Sequence, residues 1–376
     1  MLNEVLNFIL TEENIAQRVA LETKAWQDFD KRNSVYLYGA GYLMQFYCRY
    51  LKKFGVKISA ILDTYKEGNY QGIPILQYDS FLGSAPKSEN CRFFVASAAY
   101  AKDIIALLKG DFYSGSIFFV DHAFQLGIEN MTLEQYRLYL ASNWKDIEML
   151  YKNLSDYKSK ITLLNILKEH ISGNPDWLWD TLDLDLDYPK DVICFEKNEI
   201  FVEPGANNGN TFLEFVRRCP EYQEAYLFEP EACFQAKLHE IAVKEQLKGK
   251  VVQIIQKGVW DNEQEMHFTS TEQGNGSFVL TSNTGNVVSI MTTTVDKAVP
   301  VPFTYMKMDI EGAEIKALKG AEKHILVNRP KLGISVYHKP TDLLDVWKYL
   351  RMLNPNYQFY LRNHTPVWDD IILYAV

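Results

Sequence analysis

The chain has 376 residues, of which 47% are hydrophobic, 14% aromatic and 23% charged. That profile is globular and excludes a disordered tail protein, and no apolar run reaches the roughly 18 residues a membrane span needs. Lys and Arg total 39 against 48 Asp and Glu, a net charge of -9. Proteins that grip phosphate backbones usually carry the opposite balance, so no nucleic-acid partner is expected.

At roughly 100–200 residues per domain, the length predicts two domains with a connector. The start, Met1-Leu2-Asn3-Glu4-Val5, has no basic segment and does not read as a signal peptide. The five cysteines are odd in number and lack CxxC spacing, which argues against a disulfide framework or a thiolate zinc site and fits a reducing cytoplasm. The histidines form no HExxH or HxH pair, so local spacing gives no metal site.

In chain order, residues 1–32 read as a helical cap, with Leu2, Val5, Leu6, Ile9 and Leu10 at helical spacing. Residues 33–128 alternate strands (35–38, 58–63, 92–97 and 116–121) with helices at 43–53 and 100–109, the pattern of a parallel, helix-covered Rossmann-like domain. Gly68 to Pro74 reads as a surface excursion. Residues 129–190 form a helical connector that closes with the acidic run Asp180, Asp183, Asp185 and Asp187. That run lacks the turn glycine and closing glutamate of a calcium loop and reads as a solvated linker. Residues 191–376 form a second α/β unit with strands at 199–203, 225–229, 251–255, 303–309, 331–337, 357–361 and 370–376. The last two have no helix between them, which predicts an antiparallel closing pair.

Three motifs in this second unit carry chemistry. The first, Ile200 to Thr211, is an apolar strand ending at Glu203, then Pro204 and a turn holding Gly205 and Gly209, then a helix. Glycines let backbone approach a ligand, and the helix start donates N–H groups to a carboxylate or phosphate. A dinucleotide site prefers G-x-G-x-x-G and an uncharged strand end; Glu203 instead suits a ligand that carries an ammonium. The second is Glu229-Pro230 at the end of the next strand, where an acid reaches a ribose diol. The third is Asp309-Ile310-Glu311-Gly312-Ala313-Glu314, which brings three acids to a strand's carboxyl end; Glu311 and Glu314 alternatively cap the following helix.

Together these motifs resemble the FkbM family of S-adenosylmethionine-dependent methyltransferases. The resemblance covers about residues 195–376 and takes in Thr292 to Asp296, Leu318 to Glu322, Ser335 to Leu343 and Ile371 to Tyr374. One departure is Glu203-Pro204, where the family commonly has Asp. The resemblance implies a seven-stranded class I methyltransferase sheet with S-adenosylmethionine as cofactor. It implies that Gly205, Ala206, Asn207, Asn208, Gly209 and Thr211 wrap the methionine part, with Glu203 near the ammonium. Glu229, followed by Pro230, would hold the ribose, Gly258 and Val259 would border the adenine, and Asp309 would sit beside the methyl-transfer centre.

A sugar hydroxyl is a weak acid, so a positioned base helps its methylation. His338 follows a strand on the edge that carries Asp309, and with Asp309 and Glu311 it forms the candidate catalytic set; His364 is a weaker candidate. A metal-assisted variant using Asp309, Glu311 and His338 stays open. No Asn/Asp-Pro-Pro-aromatic run follows the fourth strand, which disfavours a nucleobase acceptor. The expected function is O-methylation of a sugar, nucleotide sugar or polysaccharide precursor. The alternative is an NAD- or nucleotide-sugar-binding protein whose methyltransferase fold is not catalytic.

In the first domain, Gly39-Ala40-Gly41 and Asp63 make half a dinucleotide fingerprint, with Met44 at the third glycine position. Together with Gly72 to Ile75 they also resemble nucleotide-sugar-binding domains of sugar-modifying transferases. Sugar binding, a structural or dimerising role and NAD binding all stay open. So does the oligomeric state, a homo-oligomer included.

Overall fold

Short apolar runs alternating with helix-period segments fold into two open α/β sheets in the computed structural model of this chain. The structure describes residues 2–11, 14, 34–41, 44, 47, 48, 51, 55–83, 85, 91–97, 100–112, 117, 118, 131–173, 176–185, 187–270, 277, 278, 286–365 and 370–376. The chain divides into two compact units. One comprises Met1–Ala141, Leu164–Asp180 and Thr365–Trp368; the other comprises Ser142–Leu163, Thr181–His364 and Asp369–Val376.

The first unit opens with helix α1 (Leu2–Leu10), which buries Val5 and Ile9. It continues through β1 (Ser34–Tyr38), β2 (Ile58–Asp63), β3 (Gly68–Tyr70), β4 (Ile73–Gln77), α2 (Tyr78–Leu82), β5 (Cys91–Val95), α3 (Ala101–Asp111) and β6 (Ile117–Phe118). The sheet order is β3-β4-β2-β1-β5-β6, parallel except between β3 and β4. Successive side chains of β1 serve opposite faces: Tyr36 and Tyr38 pack with Phe81 and Phe93, whereas Leu37 packs with Ile61 and Phe94. The Gly68 to Pro74 segment, expected as a surface excursion, is largely exposed but belongs to the sheet. It is an edge hairpin turning at Gln71 and Gly72, both at positive φ, and β4 pairs with β2. Most of residues 12–33, most of the expected helix 43–53 and the outer parts of the expected strand 116–121 lie outside the described residues.

The connector forms α4 (Leu133–Ser142), α5 (Trp144–Asn153), α6 (Tyr157–Ser172) and the short α7 (Asp176–Trp179). The acidic run after it is not a solvated linker. Asp183 is buried, 2.5 Å from the Lys158 ammonium and 3.4 Å from Nε of the buried Arg362; Asp187 lies 3.3 Å from the Lys307 ammonium. Distant cations turn this stretch into a charge-paired edge of the second unit, which the local composition does not encode.

The second unit runs through β7 (Ile200–Pro204), α8 (Asn210–Arg218), β8 (Glu224–Phe228), α9 (Ala232–Gln246), β9 (Val251–Ile255), β10 (Gly258–Val259), β11 (Glu265–Ser270), β12 (Ser277–Phe278), β13 (Asn286–Thr293) and α10 (Val295–Ala298). It ends with β14 (Tyr305–Met308), α11 (Glu314–Lys319), α12 (Glu322–Asn328), β15 (Lys331–Ser335), α13 (Asp342–Leu353), β16 (Phe359–Asn363) and β17 (Ile371–Ala375). The main sheet has the order β16-β17-β15-β14-β7-β8-β9, with β17 antiparallel to both neighbours. These seven strands fall within a few residues of their expected places because most are short apolar runs buried on both faces; the edge strand β9 exposes Val251 and Gln253. The turn-to-helix start is held by α8, whose Phe212 and Phe215 pack on Phe201; the Phe201 and Phe215 rings stack at 4.2 Å. A second, four-stranded sheet, β10-β13-β11-β12, has no counterpart in the sequence reading.

Candidate functional site

Strand connectivity reverses between β7 and β14, and the crevice outside the carboxyl ends of such strands is where open α/β sheets hold ligands. After β7, Gly205 adopts φ +87, and a Cβ there would lie 2.0 Å from the carbonyl oxygen of Asp309. Only glycine allows the β7 turn to press against the end of β14. The turn is also tied to β8. Gly205 and Ala206 each donate an N–H to the Phe228 carbonyl at 3.0 Å, and Asn207 donates its N–H to Glu229 Oε2 at 2.8 Å. Asn207 and Asn208 then accept backbone N–H groups of Asn208 and Asn210, and Gly209 leads into α8. The Thr211 carbonyl accepts from the Tyr188 hydroxyl, anchoring the helix start to the core.

Two buried acids face this turn region. Glu229, next to Pro230, accepts N–H groups of Asn207 and Glu231, each at 2.8 Å, yet burial pushes its carboxyl up to about 7. Glu203 is 2% exposed, and its Oε2 has no hydrogen-bond partner. Burial raises Glu203 well above the usual carboxylate range, with the Lys307 ammonium opposing the shift. Gly258 and Val259 follow β9 and are both buried in β10.

Strand β14 carries the other half of the crevice. Lys307 is buried within an otherwise apolar strand, 3.3 Å from Asp187 and 3.6 Å from Asp309. Burial works against its charge, but these carboxylates outweigh burial and raise its pKa. Burial alone would raise Asp309; Lys307, His338 and the Tyr337 hydroxyl, which donates to both carboxylate oxygens at 3.1 and 3.2 Å, hold it well below the usual range instead. His338 Nε2 lies 3.2 Å from Asp309 and 3.7 Å from Glu311, while Nδ1 lies 3.0 Å from Glu314. Burial would lower His338, but Glu314 and Asp309 raise it well above its ordinary value. Glu311 sits at φ +57, a conformation uncommon for a non-glycine residue, and partial burial together with the neighbouring carboxylates of Asp309 and Glu314 pushes its carboxyl up to about 7.

The three expected catalytic residues, Asp309, Glu311 and His338, therefore meet in one cluster. Glu314 joins it from the first turn of α11; it makes no side-chain cap bond to that helix, and its Oε1 instead accepts the N–H groups of Ile310 and Gly312 in the preceding turn. His364 does not belong to the cluster. It is buried, donates Nδ1–H to the Asp183 carbonyl and lies 2.8 Å from the Tyr374 hydroxyl. Lys307, Tyr337 and Asp342 have no role assigned by the sequence motifs. A lysine inside the run Tyr305 to Met308 was a usable signal; the other two become partners only through folding.

In the first unit, Gly39 adopts φ +113, and a Cβ there would lie 2.7 Å from the Ala96 carbonyl oxygen. Asp63 accepts the N–H of Ala40 on Oδ2 and those of Tyr65 and Lys66 on Oδ1, at 2.9 to 3.0 Å. The acid that a dinucleotide reading assigns to a ribose here clamps its own turn.

The strand order, the reversed final strand and the crevice at β7 and β14 define a class I methyltransferase fold. Residues 203–359 match the model of the methyltransferase FkbM domain. No curated protein matches the sequence. Among solved structures, the methyltransferase FkbM from Methylobacillus flagellatus KT is similar over 97% of this chain and 98% of its own, with a TM-score of 0.69 and 20% identity. That likeness extends the shared fold over nearly the whole chain. A SAM-dependent methyltransferase from Aquifex aeolicus overlaps 54% of this chain and 97% of its own at a TM-score of 0.29 and 12% identity, too loosely to bear on the site. Among the described residues, no helix is long and apolar enough to cross a membrane.

Proposed function

We propose that the second unit binds S-adenosylmethionine and methylates a hydroxyl oxygen of a sugar, nucleotide sugar or polysaccharide precursor. The observation that carries this reading is the meeting of the Gly205 turn, backed by Glu229, with the Asp309–Glu311–His338 cluster at the junction of β7 and β14. The residues fit the cofactor. Glu203 Oε2 is a buried acceptor without a donor, suited to an ammonium, and each Glu229 oxygen keeps a lone pair for a diol beyond its one backbone donor. When bound, the cofactor supplies a methyl group on a positively charged sulfonium, a leaving group that needs no further activation.

The chain's own residues then have to seat the acceptor and receive its proton. Asp309 and Glu311 present part-exposed carboxylates that accept hydrogen bonds from hydroxyl groups, and the acidic crevice repels phosphate backbones. His338, fixed between Glu314 and Asp309, holds this cluster together. The test is methyl transfer from labelled S-adenosylmethionine to a panel of glycans, nucleotide sugars and nucleic acids, beside calorimetry with S-adenosylhomocysteine. Label is expected on a sugar hydroxyl, and His338→Ala should keep cofactor affinity while losing turnover. Label on nucleic acid only would overturn the acceptor class, and failure of the wild type to bind S-adenosylhomocysteine would overturn the reading altogether.

A further inference from the structure

We infer that Asp309, Glu314 and His338 form a divalent-cation site that seats the acceptor hydroxyl, an inference that rests on the proposed methyl transfer for its role but not for its existence. One ligand atom from each of these residues lies within 4.8 Å of the other two. The cluster is more than a patch of acids. Glu314 is 0% exposed and its Oε2 has no hydrogen-bond partner. His338 is 5% exposed, with carboxylate oxygens of Glu314 and Asp309 3.0 and 3.2 Å from its two ring nitrogens. Glu314 Oε2, a fully buried acceptor without a partner beside this ion-paired imidazole, calls for a further group.

The ligand chemistry narrows what that group is. Two carboxylates and one imidazole suit a hard or borderline divalent ion such as Mg2+ or Mn2+, whereas a softer ion favours thiolates. The cysteines of this unit, at 194, 219 and 233, are not among the cluster residues. Local charge agrees: Asp309, Glu311, Glu314 and Asp342 surround His338, whereas the buried Lys307 is shared with Asp187. Glu311, with Oε2 3.7 Å from Nε2, stands beside the set as an outer partner. The side chain of Asp309 is 33% exposed and that of Glu311 40%, so the cluster opens toward solvent on their side and is closed on the Glu314 side. A three-ligand site that is closed on one side leaves positions for an incoming oxygen. A cation there would hold a sugar hydroxyl and make it more acidic.

The test is titration of the full-length protein with Mn2+, followed by the loss of the free-ion electron paramagnetic resonance signal, with and without S-adenosylhomocysteine. One Mn2+ per chain is expected. Asp309→Asn, His338→Gln and Glu314→Gln should each weaken it about tenfold or more, as changes at or next to a metal's ligands do. Circular dichroism checks that each variant is folded, and Asp309→Asn, at the part-exposed rim, is the change least able to disturb the core. A wild type that binds S-adenosylhomocysteine but leaves the Mn2+ signal undiminished at millimolar ion overturns the cation site and leaves the methyltransferase reading standing. Mn2+ bound equally by wild type and variants also overturns it. Mn2+ bound as expected with no S-adenosylhomocysteine binding would instead overturn the cofactor reading and keep the site.

Discussion

The two units use the same local device and arrive at opposite electrostatics. In each, a glycine at positive φ follows a parallel strand, and an acid at the end of the next strand accepts a backbone N–H from the turn: Asp63 from Ala40 in the first unit, Glu229 from Asn207 in the second. Asp63 takes a total of three backbone donors, and the Lys66 ammonium stands nearby, so its carboxyl falls below the usual range despite partial burial. Glu229 takes two donors and is almost wholly buried, and burial wins. The lesson is that a strand-end acid after a glycine turn is not in itself a ligand residue. An acid whose donors already compensate its charge is a turn clamp. An acid left short of donors in a dry crevice is stabilised by a ligand that brings them.

The largest effect that separates the two turns comes from the glycines. Gly205→Ala forces a Cβ onto the Asp309 carbonyl and places alanine at φ +87. The left-handed backbone alone costs about 1–2 kcal/mol, and relieving the clash moves the backbone of β7 or β14, so a loss of several kcal/mol is expected. Gly39→Ala meets the Ala96 carbonyl at 2.7 Å and should also destabilise, but less. Denaturant melts measure both losses, and calorimetry with S-adenosylhomocysteine separates them: only Gly205→Ala should abolish binding. Wild-type affinity in folded Gly205→Ala would break the assignment of this turn to the cofactor.

The acids give the next effect. Glu229→Ala removes a charged acceptor that would receive two hydroxyls, each charge-assisted bond contributing about 1.5–3 kcal/mol. S-adenosylhomocysteine should therefore bind about a hundredfold more weakly or worse. Asp63→Ala should leave that affinity untouched and lower the stability of the first unit by about 1–3 kcal/mol, because three backbone N–H groups lose their acceptor. A cofactor affinity that tracks Asp63 and ignores Glu229 would reverse the roles assigned to the two units.

Much of this contrast was legible in the chain, and the rest was not for identifiable reasons. Most of the main-sheet strands, β7, β8, β14 and β15 among them, are buried on both faces, so they stand out as short apolar runs between turn residues, and the three acidic strand ends follow from them. The second sheet stayed hidden because its strands are partly exposed: Glu265, His267, Val288, Ser289 and Met291 face solvent, and no continuous apolar run marks them. The cluster around His338 was legible only in part. Asp309 and Glu311 are neighbours of a strand end, but Glu314 reaches Nδ1 only because Gly312 folds the chain back at φ +92. The pairing of Asp183 and Asp187 with Arg362 and Lys307 joins residues more than a hundred positions apart, which no local pattern reports.

The smallest effect is a pH dependence, and it sharpens the comparison most directly. With burial holding Glu229 near 7, the free protein carries it mainly neutral at pH 6 and mainly ionised at pH 8. Hydroxyl donors of a ribose favour the ionised form, so binding at low pH must first remove a proton. S-adenosylhomocysteine should therefore bind more weakly as pH falls through 7, by up to about tenfold per unit, and level off above pH 8. Asp63, held below the usual carboxylate range, stays ionised across this interval and contributes no inflection. Glu311 and Asp342 also titrate near 7, so the decisive comparison is with Glu229→Gln, which removes only one of these groups. Calorimetry at pH 6, 7 and 8 should show the wild-type slope and a flatter one in Glu229→Gln. Equal slopes would mean that Glu229, like Asp63, only clamps its turn.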